Sequence, residues 1–352
     1  MLDADDLPTG KLKFDSVRGK TAVTTCYARY PLKFISARRA ADRNCVWVYA
    51  LGYGGGAVRG DHVSISCTMG EACTAAVTTQ GSTKVYKRGS QAAGGDLKAL
   101  DSNTGGAGQS MRCRVMQAGM LAVIPDPITC FEDASFKQDQ RFMLEQGSSL
   151  VLVDWLTCGR MSRGEGWDFA RFESRNEVMV QNSAIPEEEC GWEPLILDSL
   201  VLEELPGLSI RERMLGMNVV GVAILLGPRV ADVVSALLEN EERQRSSLPL
   251  GLQSSAGVNC RSGAPGASKK TPEIQNVSDT EAPRQGGSAP GGRYLSSVSR
   301  LRGGHGGWCR GLVYRFAAER TEDARDALHN LLLPLKGLLG GKAPYATEGG
   351  TS

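Results

Sequence analysis

Leu51-Gly52-Tyr53-Gly54-Gly55-Gly56-Ala57-Val58-Arg59-Gly60-Asp61 runs directly into His62-Val63-Ser64-Ile65-Ser66-Cys67-Thr68-Met69, and the reading of this stretch decides the fold. Gly52 to Ala57 satisfies the spacing of a dinucleotide-binding loop. That loop needs a strand before it and a helix after it, because the helix N-terminus receives the pyrophosphate. The following residues exclude the helix: Val63, Ile65, Cys67 and Met69 alternate with polar residues, the period of two that marks a half-buried strand. The glycines therefore make a sharp corner between strands, where positive φ and close backbone approach are permitted. Asp61 is the carboxylate set at its exit.

Working outward, Thr21–Cys26, Cys45–Ala50, Cys73–Thr78 and Val85-Tyr86 are β-branched or aromatic segments separated by glycine-rich turns. From about Lys11 to Met179 no helical period intervenes, which predicts an all-β stack of sheets, a sandwich or a solenoid. Gly89–Gly108 reads as an extended hairpin or loop. Leu121–Ile124 is a buried strand stopped by Pro125-Asp126-Pro127. Leu150–Leu156 is another apolar strand, with Asp154 in its middle, and Leu195–Leu202 repeats the oddity with Asp198.

The C-terminal third changes character. Val219–Leu226 is a strand, and Val230, Val233, Val234, Leu237 and Leu238 then fall at helical spacing within Val230–Arg245. Residues 246–307 are dominated by Ser, Gly, Pro, Gln and Ala, which predicts a disordered insertion within the domain. Gly311–Phe316 resumes as a strand. Thr321–Leu333 follows as a helix, with Thr321 as its expected cap and Glu322 and Asp323 at the positive end of its dipole.

Composition excludes several function classes. Of 352 residues 41% are apolar, enough for a core, and 40 basic against 39 acidic side chains leave a net charge of +1. No overall field steers such a chain to nucleic acid or to an anionic membrane. The longest apolar run, Val219–Leu226, falls far short of the ~20 residues of a membrane span. The acidic opening Met1–Asp6 lacks both the apolar core of a secretory signal and the arginine-rich character of a transit peptide, so a cytoplasmic location is expected. Ten cysteines without a Cys-x-x-Cys pair and three scattered histidines (His62, His305, His329) give no zinc-site spacing. Reduced, mostly buried thiols are expected.

The chemistry-bearing residues are then carboxylates in apolar strands. Asp61, Asp154 and Asp198 lose solvation there and must be paired, hydrogen-bonded or coordinated to a cation. The plainest reading gives them arginines or turn amides, with Arg160 near enough in sequence to pair with Asp154. His62 is not paired with Asp61, since neighbours on a strand point to opposite faces. Cys158 and Cys190 are isolated thiols, which the plainer reading makes structural rather than metal ligands. No Gly-x-Ser-x-Gly elbow, His-Glu-x-x-His helix or phosphate loop occurs.

Taken in order, Pro31-Leu32-Lys33, Gly54-Gly55-Gly56 with Gly60-Asp61, Thr78-Thr79-Gln80 with Thr83-Lys84-Val85-Tyr86, and Ile124-Pro125-Asp126-Pro127 carry a resemblance. It continues through Asp154-Trp155 with Gly159-Arg160, Gly164-Glu165, and Leu333-Pro334-Leu335-Lys336 before Pro344-Tyr345. Together these segments resemble the urease accessory protein UreD (UreH) family, of the plant and algal type. The resemblance implies a mainly β, elongated stacked-sheet or β-helix-like fold over residues 10–345 as one domain, with two α-helices in the C-terminal third. It implies no enzyme activity. Its implied role is to scaffold a UreF-type accessory protein, and through it a UreG-type GTPase, on apo-urease. It also implies that nickel passes transiently through a water-filled channel lined in part by Asp61, Asp154 and Asp198.

Thr83, Lys84 and Tyr86 either line the same interior or pair across strands, and Arg160, Gly164 and Glu165 anchor a turn. Oxygen ligands with exchangeable water suit passage of a divalent ion better than a His/Cys cage. The chain departs from the family after Pro344-Tyr345, where residues 346–352 form a short tail expected to be disordered. Two readings from other classes stay open: a β-sandwich hydrolase using Asp154 and Glu165 as acid and base, and an interaction module whose aspartates are purely structural.

Overall fold

The computed structural model describes residues 8–36, 44–87, 106–182, 191–246, 259–261 and 292–346. In chain order its strands are β1 (Gly10–Val17), β2 (Lys20–Ala28), β3 (Leu32–Ser36), β4 (Val46–Gly52), β5 (His62–Met69), β6 (Thr74–Thr78), β7 (Thr83–Val85), β8 (Ala107–Val115) and β9 (Met120–Val123). They continue with β10 (Ile128–Cys130), β11 (Ser135–Leu144), β12 (Ser149–Thr157), β13 (Arg171–Gln181), β14 (Trp192–Glu203), β15 (Val219–Leu226), β16 (Asn259–Arg261), β17 (Tyr294–Gly303) and β18 (Cys309–Ala318). The helices are α1 (Ile210–Arg213), α2 (Ala231–Ser246) and α3 (Thr321–Leu332).

These strands form two sheets. One runs β14-β13-β11-β8-β5-β1-β2, the other β16-β17-β18-β15-β12-β9-β6-β4-β3, with β7 and β10 joined beside it. The chain crosses from one sheet to the other at each turn: β5 to β6, β8 to β9, β11 to β12. Successive crossings stack in parallel, β5 on β8 on β11 on β13 in one layer and β6 on β9 on β12 in the other. The centre is thus β-helix-like, flanked by antiparallel additions, β1/β2 and β13/β14 in one sheet and β12/β15/β18/β17 in the other.

Alternation along each strand sets the layers. Ile65, Cys67 and Met69 on β5 and Cys113 and Val115 on β8 bury against Val77, Val123, Leu150 and Leu152 of the opposite sheet. The other faces of β12 and β15 carry Val151, Val153, Trp155, Ala223 and Leu225, and helices α2 and α3 cover them with Val234, Ala324, Leu328 and Leu331. At 25 cal/mol per Å², each such buried aliphatic side chain contributes about 1.5–3 kcal/mol. The expected helices are therefore present, and they lie on the outside of one sheet.

Three expectations are corrected. Thr321 does not cap α3: it is already helical, and the cap position falls on Arg320, which makes no capping bond and pairs instead with Asp323. Residues 246–307 are not wholly an insertion outside the fold, because β17 pairs along its length with β18 and Tyr294 stacks on Phe316. Its serines and glycines hide a strand that a neighbour completes; residues 247–258 and 262–291 lie outside the described residues. Of the expected loop at Gly89–Gly108, residues 89–105 also lie outside them, and Ala107 and Gly108 open β8.

Candidate functional site

The inward faces of β11 and β13 read Phe136-Gln138-Gln140-Phe142-Leu144 and Phe172-Ser174-Asn176-Val178-Val180, apolar at both ends and polar between. Facing them across the interior, β12 turns Leu150, Leu152 and Asp154 inward while Trp155 points to the helices. Asp154 is 8% exposed. Its carboxylate accepts from Gln138 Nε2 at 3.0 Å, Ser174 Oγ at 2.5 Å and Asn176 Nδ2 at 2.8 Å. Gln140 Nε2 in turn donates to Asn176 Oδ1 at 2.9 Å. Burial pushes the Asp154 carboxyl above its ordinary value; the three hydrogen bonds oppose this, and the charge of Asp198 adds to it.

Two cavities meet at this aspartate. The first, about 170 Å³, is lined by Asp61, Thr83, Asp126, Gln138, Gln140 and Asp154 among others. The second, about 220 Å³, is lined by Asp154, Asp198 and Arg315 together with apolar groups. Both exceed the ~30 Å³ that one water occupies in the liquid, and their polar lining gives water partners. Asp198 sits on β14 directly beside Asn176 of β13 in register, and its Oδ1 accepts from Arg315 Nη2 at 2.7 Å. Asp61 and Asp154 thus line the first cavity, and Asp154 and Asp198 the second.

The glycine corner builds the wall of the first chamber. Gly54, Gly55 and Gly60 hold positive φ (75°, 77° and 87°). Gly56 lies so close to β7 that a Cβ there would sit 2.4 Å from Lys84 O and 2.7 Å from the Tyr86 ring. Ala57 N donates to Lys84 O at 2.8 Å and Tyr86 N to Ala57 O at 2.9 Å, a short parallel bridge. Asp61 Oδ2 accepts from Val58 N at 3.0 Å, while the exposed His62 ring lies 3.4 Å from Ser110 Oγ, away from Asp61. Of the Thr83-Lys84-Tyr86 group only Thr83 lines the chamber; Lys84 is exposed and Tyr86 packs edge-on to Phe131.

Arg160 does not pair with Asp154. It pairs with Glu165, Nε to Oε1 at 2.8 Å, and lies over the Phe131 ring at 4.0 Å. The tight turn at Met161–Arg163, closed by Gly164 at φ 80°, brings positions 160 and 165 together. Arg160 holds the Glu165 carboxyl below its ordinary value, against the opposing effect of burial. Glu165 lines neither of these two cavities, whereas Asp154 lines both.

Sequence reasoning missed Gln138, Gln140, Ser174, Asn176 and the cavity-lining Asp126, which Arg325 and Gly81 N hold at 2.9 Å each. The pattern that marks the first four, two polar residues at consecutive same-face positions bracketed by phenylalanine or valine, becomes legible only once the inward face is known. Cys158 is buried, which pushes its thiol up to about 11 and keeps it protonated; Cys190 lies outside the described residues. Among the described residues no three His, Cys, Asp or Glu side chains converge as metal ligands, and no helix is long and apolar enough to cross a membrane.

Comparison with known proteins adds a family. The model of the UreD urease accessory protein matches residues 9–348. Urease accessory protein D of Arabidopsis thaliana is 34% identical over 342 residues, covering 97% of this chain and 100% of the relative. The rice protein of the same name (Oryza sativa subsp. indica) is 39% identical over 251 residues, 71% of this chain and 74% of its own. Urease accessory protein UreD of Anaeromyxobacter sp. is 31% identical over 230 residues, 65% and 69% of the two chains.

Proposed function

The chain belongs to the UreD urease accessory protein family, serving urease maturation and not acting as an enzyme, and from that premise we propose that it conducts nickel to apo-urease through its interior. The observation that carries this reading is Asp154, the one carboxylate common to both chambers. Its three partners are neutral donors. They orient the carboxylate without cancelling its charge, whereas Asp126 and Asp198 each face an arginine.

A dication entering the chambers meets carboxylate, amide and hydroxyl oxygens, donors that hold it weakly enough for stepwise exchange. Its approach lowers the proton affinity of Asp154, so the carboxylate gains full charge as the ion arrives. Asp61 serves one chamber and Asp198 the other. The same reading has the chain scaffold a UreF-type protein and, through it, a UreG-type GTPase on apo-urease. Exposed Leu197, Val201, Leu205, Leu208 and Leu215 supply apolar surface for a partner to cover.

The test uses cells that contain every urease maturation component except a UreD-type protein, at limiting nickel. Supplying this chain restores urease activity. Asp154→Asn, which keeps the size and most hydrogen bonds of the side chain, restores less than about a tenth of it, the loss expected when one charge-assisted step of ~1.4 kcal/mol or more is removed, while still co-purifying with the UreF-type partner. Full activation by Asp154→Asn with partner binding retained would overturn the conduit.

A further inference from the structure

We propose that the Asp198–Arg315 ion pair is an exchangeable latch on the second chamber: the guanidinium holds Asp198 while the chamber is empty of metal, and a passing divalent cation takes its place. The inference rests on the conduit reading above and adds to it the residue that sets how tightly the chamber holds the ion.

The two partners come from opposite sheets. Asp198 is on β14 and Arg315 on β18, joined Oδ1 to Nη2 at 2.7 Å. Asp154, Val222 and Arg315 are consecutive register partners across β12, β15 and β18, so Asp154 and Arg315 share an inward face two strands apart, roughly 10 Å. In the other sheet Asn176 is the register partner of Asp198 and donates to Asp154 at 2.8 Å. A single amide therefore separates the two carboxylates, and Asp198 already raises the Asp154 pKa across that gap.

Exposure rises along this line. Asp154 is 8% exposed, the Asp198 side chain 15% and the Arg315 side chain 50%. The Arg315 side chain thus sits at the solvent side of the chamber, half exposed. A fully buried arginine could not leave its carboxylate without stranding an uncompensated charge away from water. An arginine that is half in water gives up little, because solvent replaces its partner. A dication competes for Asp198 with twice the charge and gains Asp154 as a second oxygen ligand. Exchange is therefore favourable with the metal present and reversible when it moves on.

The experiment is equilibrium dialysis of the full chain against nickel ion alone, comparing the wild type with Arg315→Gln, Arg315→Lys and the double variant Arg315→Gln/Asp198→Asn. Arg315→Gln frees Asp198 and binds nickel about tenfold more tightly, as expected for removing one screened competing charge. Arg315→Lys keeps the competing charge and stays within about threefold of the wild type on the same grounds. The double variant loses the gain. Equal affinity of the wild type and Arg315→Gln, with both melting alike, overturns the latch, as does a gain that persists in the double variant. Failure of the conduit shows separately: nickel affinities shift as stated, but Asp154→Asn activates urease fully.

Discussion

Two stretches of the same interior differ in kind although one backbone builds both. β11 and β13 pair in unbroken parallel register from Ser135 and Arg171 to Leu144 and Val180. At one end Phe142, Leu144, Val178 and Val180 meet Leu150 and Leu152 and leave a sealed apolar slab. Two residues earlier on each strand, Gln138, Ser174 and Asn176 donate to Asp154, Gln140 donates to Asn176, and Gln138 and Gln140 border the first cavity. Strand pairing fixes where side chains point. Their chemistry alone decides whether the space between sheets is closed or left wet.

Breaking the sealed end gives the largest effect. Phe142 is fully buried, and Phe142→Ala removes a ring from a slab that cannot collapse around the loss, so urea unfolding reports about 3–5 kcal/mol of lost stability. The same truncation at the wet end has less to lose. Asp154→Ala leaves three donors without their acceptor, but water from the adjoining cavities can serve them, and the loss is about 1–2 kcal/mol against the 1–3 for each group left dry. A loss at Asp154 equal to that at Phe142 would show that the wet end is dry.

Asp154→Asn sharpens the comparison further. In the folded chain the carboxyl pKa lies above its ordinary value of 3.8, so the folded state binds the proton more tightly than the unfolded one. Its contribution to stability is greatest below the ordinary value and declines as pH rises through the raised value. Asparagine removes that decline and changes stability near neutral pH by less than about 1 kcal/mol, because lost hydrogen bonding and relieved burial of charge offset each other. Unfolding curves of both proteins from pH 4 to 8 read the difference. A wild type whose Asp154-dependent stability instead rises across that range would reverse the sign argued here.

The apolar half of this architecture is open to reading and the polar half is not. Period-two apolar spacing in Val63–Met69 and the unbroken run Leu150–Leu156 place strands correctly, and the helical spacing after Val230 places α2. Asp154 stands out because a charge inside an apolar run is conspicuous. Gln138 and Gln140 do not, since a glutamine alternating with Lys137, Asp139 and Arg141 reads as part of a solvated strand until the face turned inward is known. β17 is missed for the related reason that Ser296, Ser297 and Ser299 carry little strand signal, and its partner β18 supplies the order. Arg160 and Glu165 are coupled through a turn whose geometry depends on Gly159 and Gly164 at positive φ, and five residues of separation alone imply no contact.

That turn supplies the smallest effect and a control outside both ends of the interior. The Glu165 carboxyl lies below its ordinary value of 4.5 because Arg160 donates to it, so the unfolded chain holds that proton more tightly than the folded one. The pair therefore contributes stability that is complete above the ordinary value and is lost as pH falls through the lowered one, the opposite sign to Asp154. Glu165→Gln flattens the acid side of the stability curve only slightly, since Arg160 stands a third exposed and water replaces much of what it loses. Nickel binding and urease activation are unchanged, because Glu165 borders neither chamber. If Glu165→Gln lowered activation as far as Asp154→Asn does, the Arg160–Glu165 turn would belong to the working surface of the protein, and the division between the wet interior and its structural surroundings would have to be redrawn there.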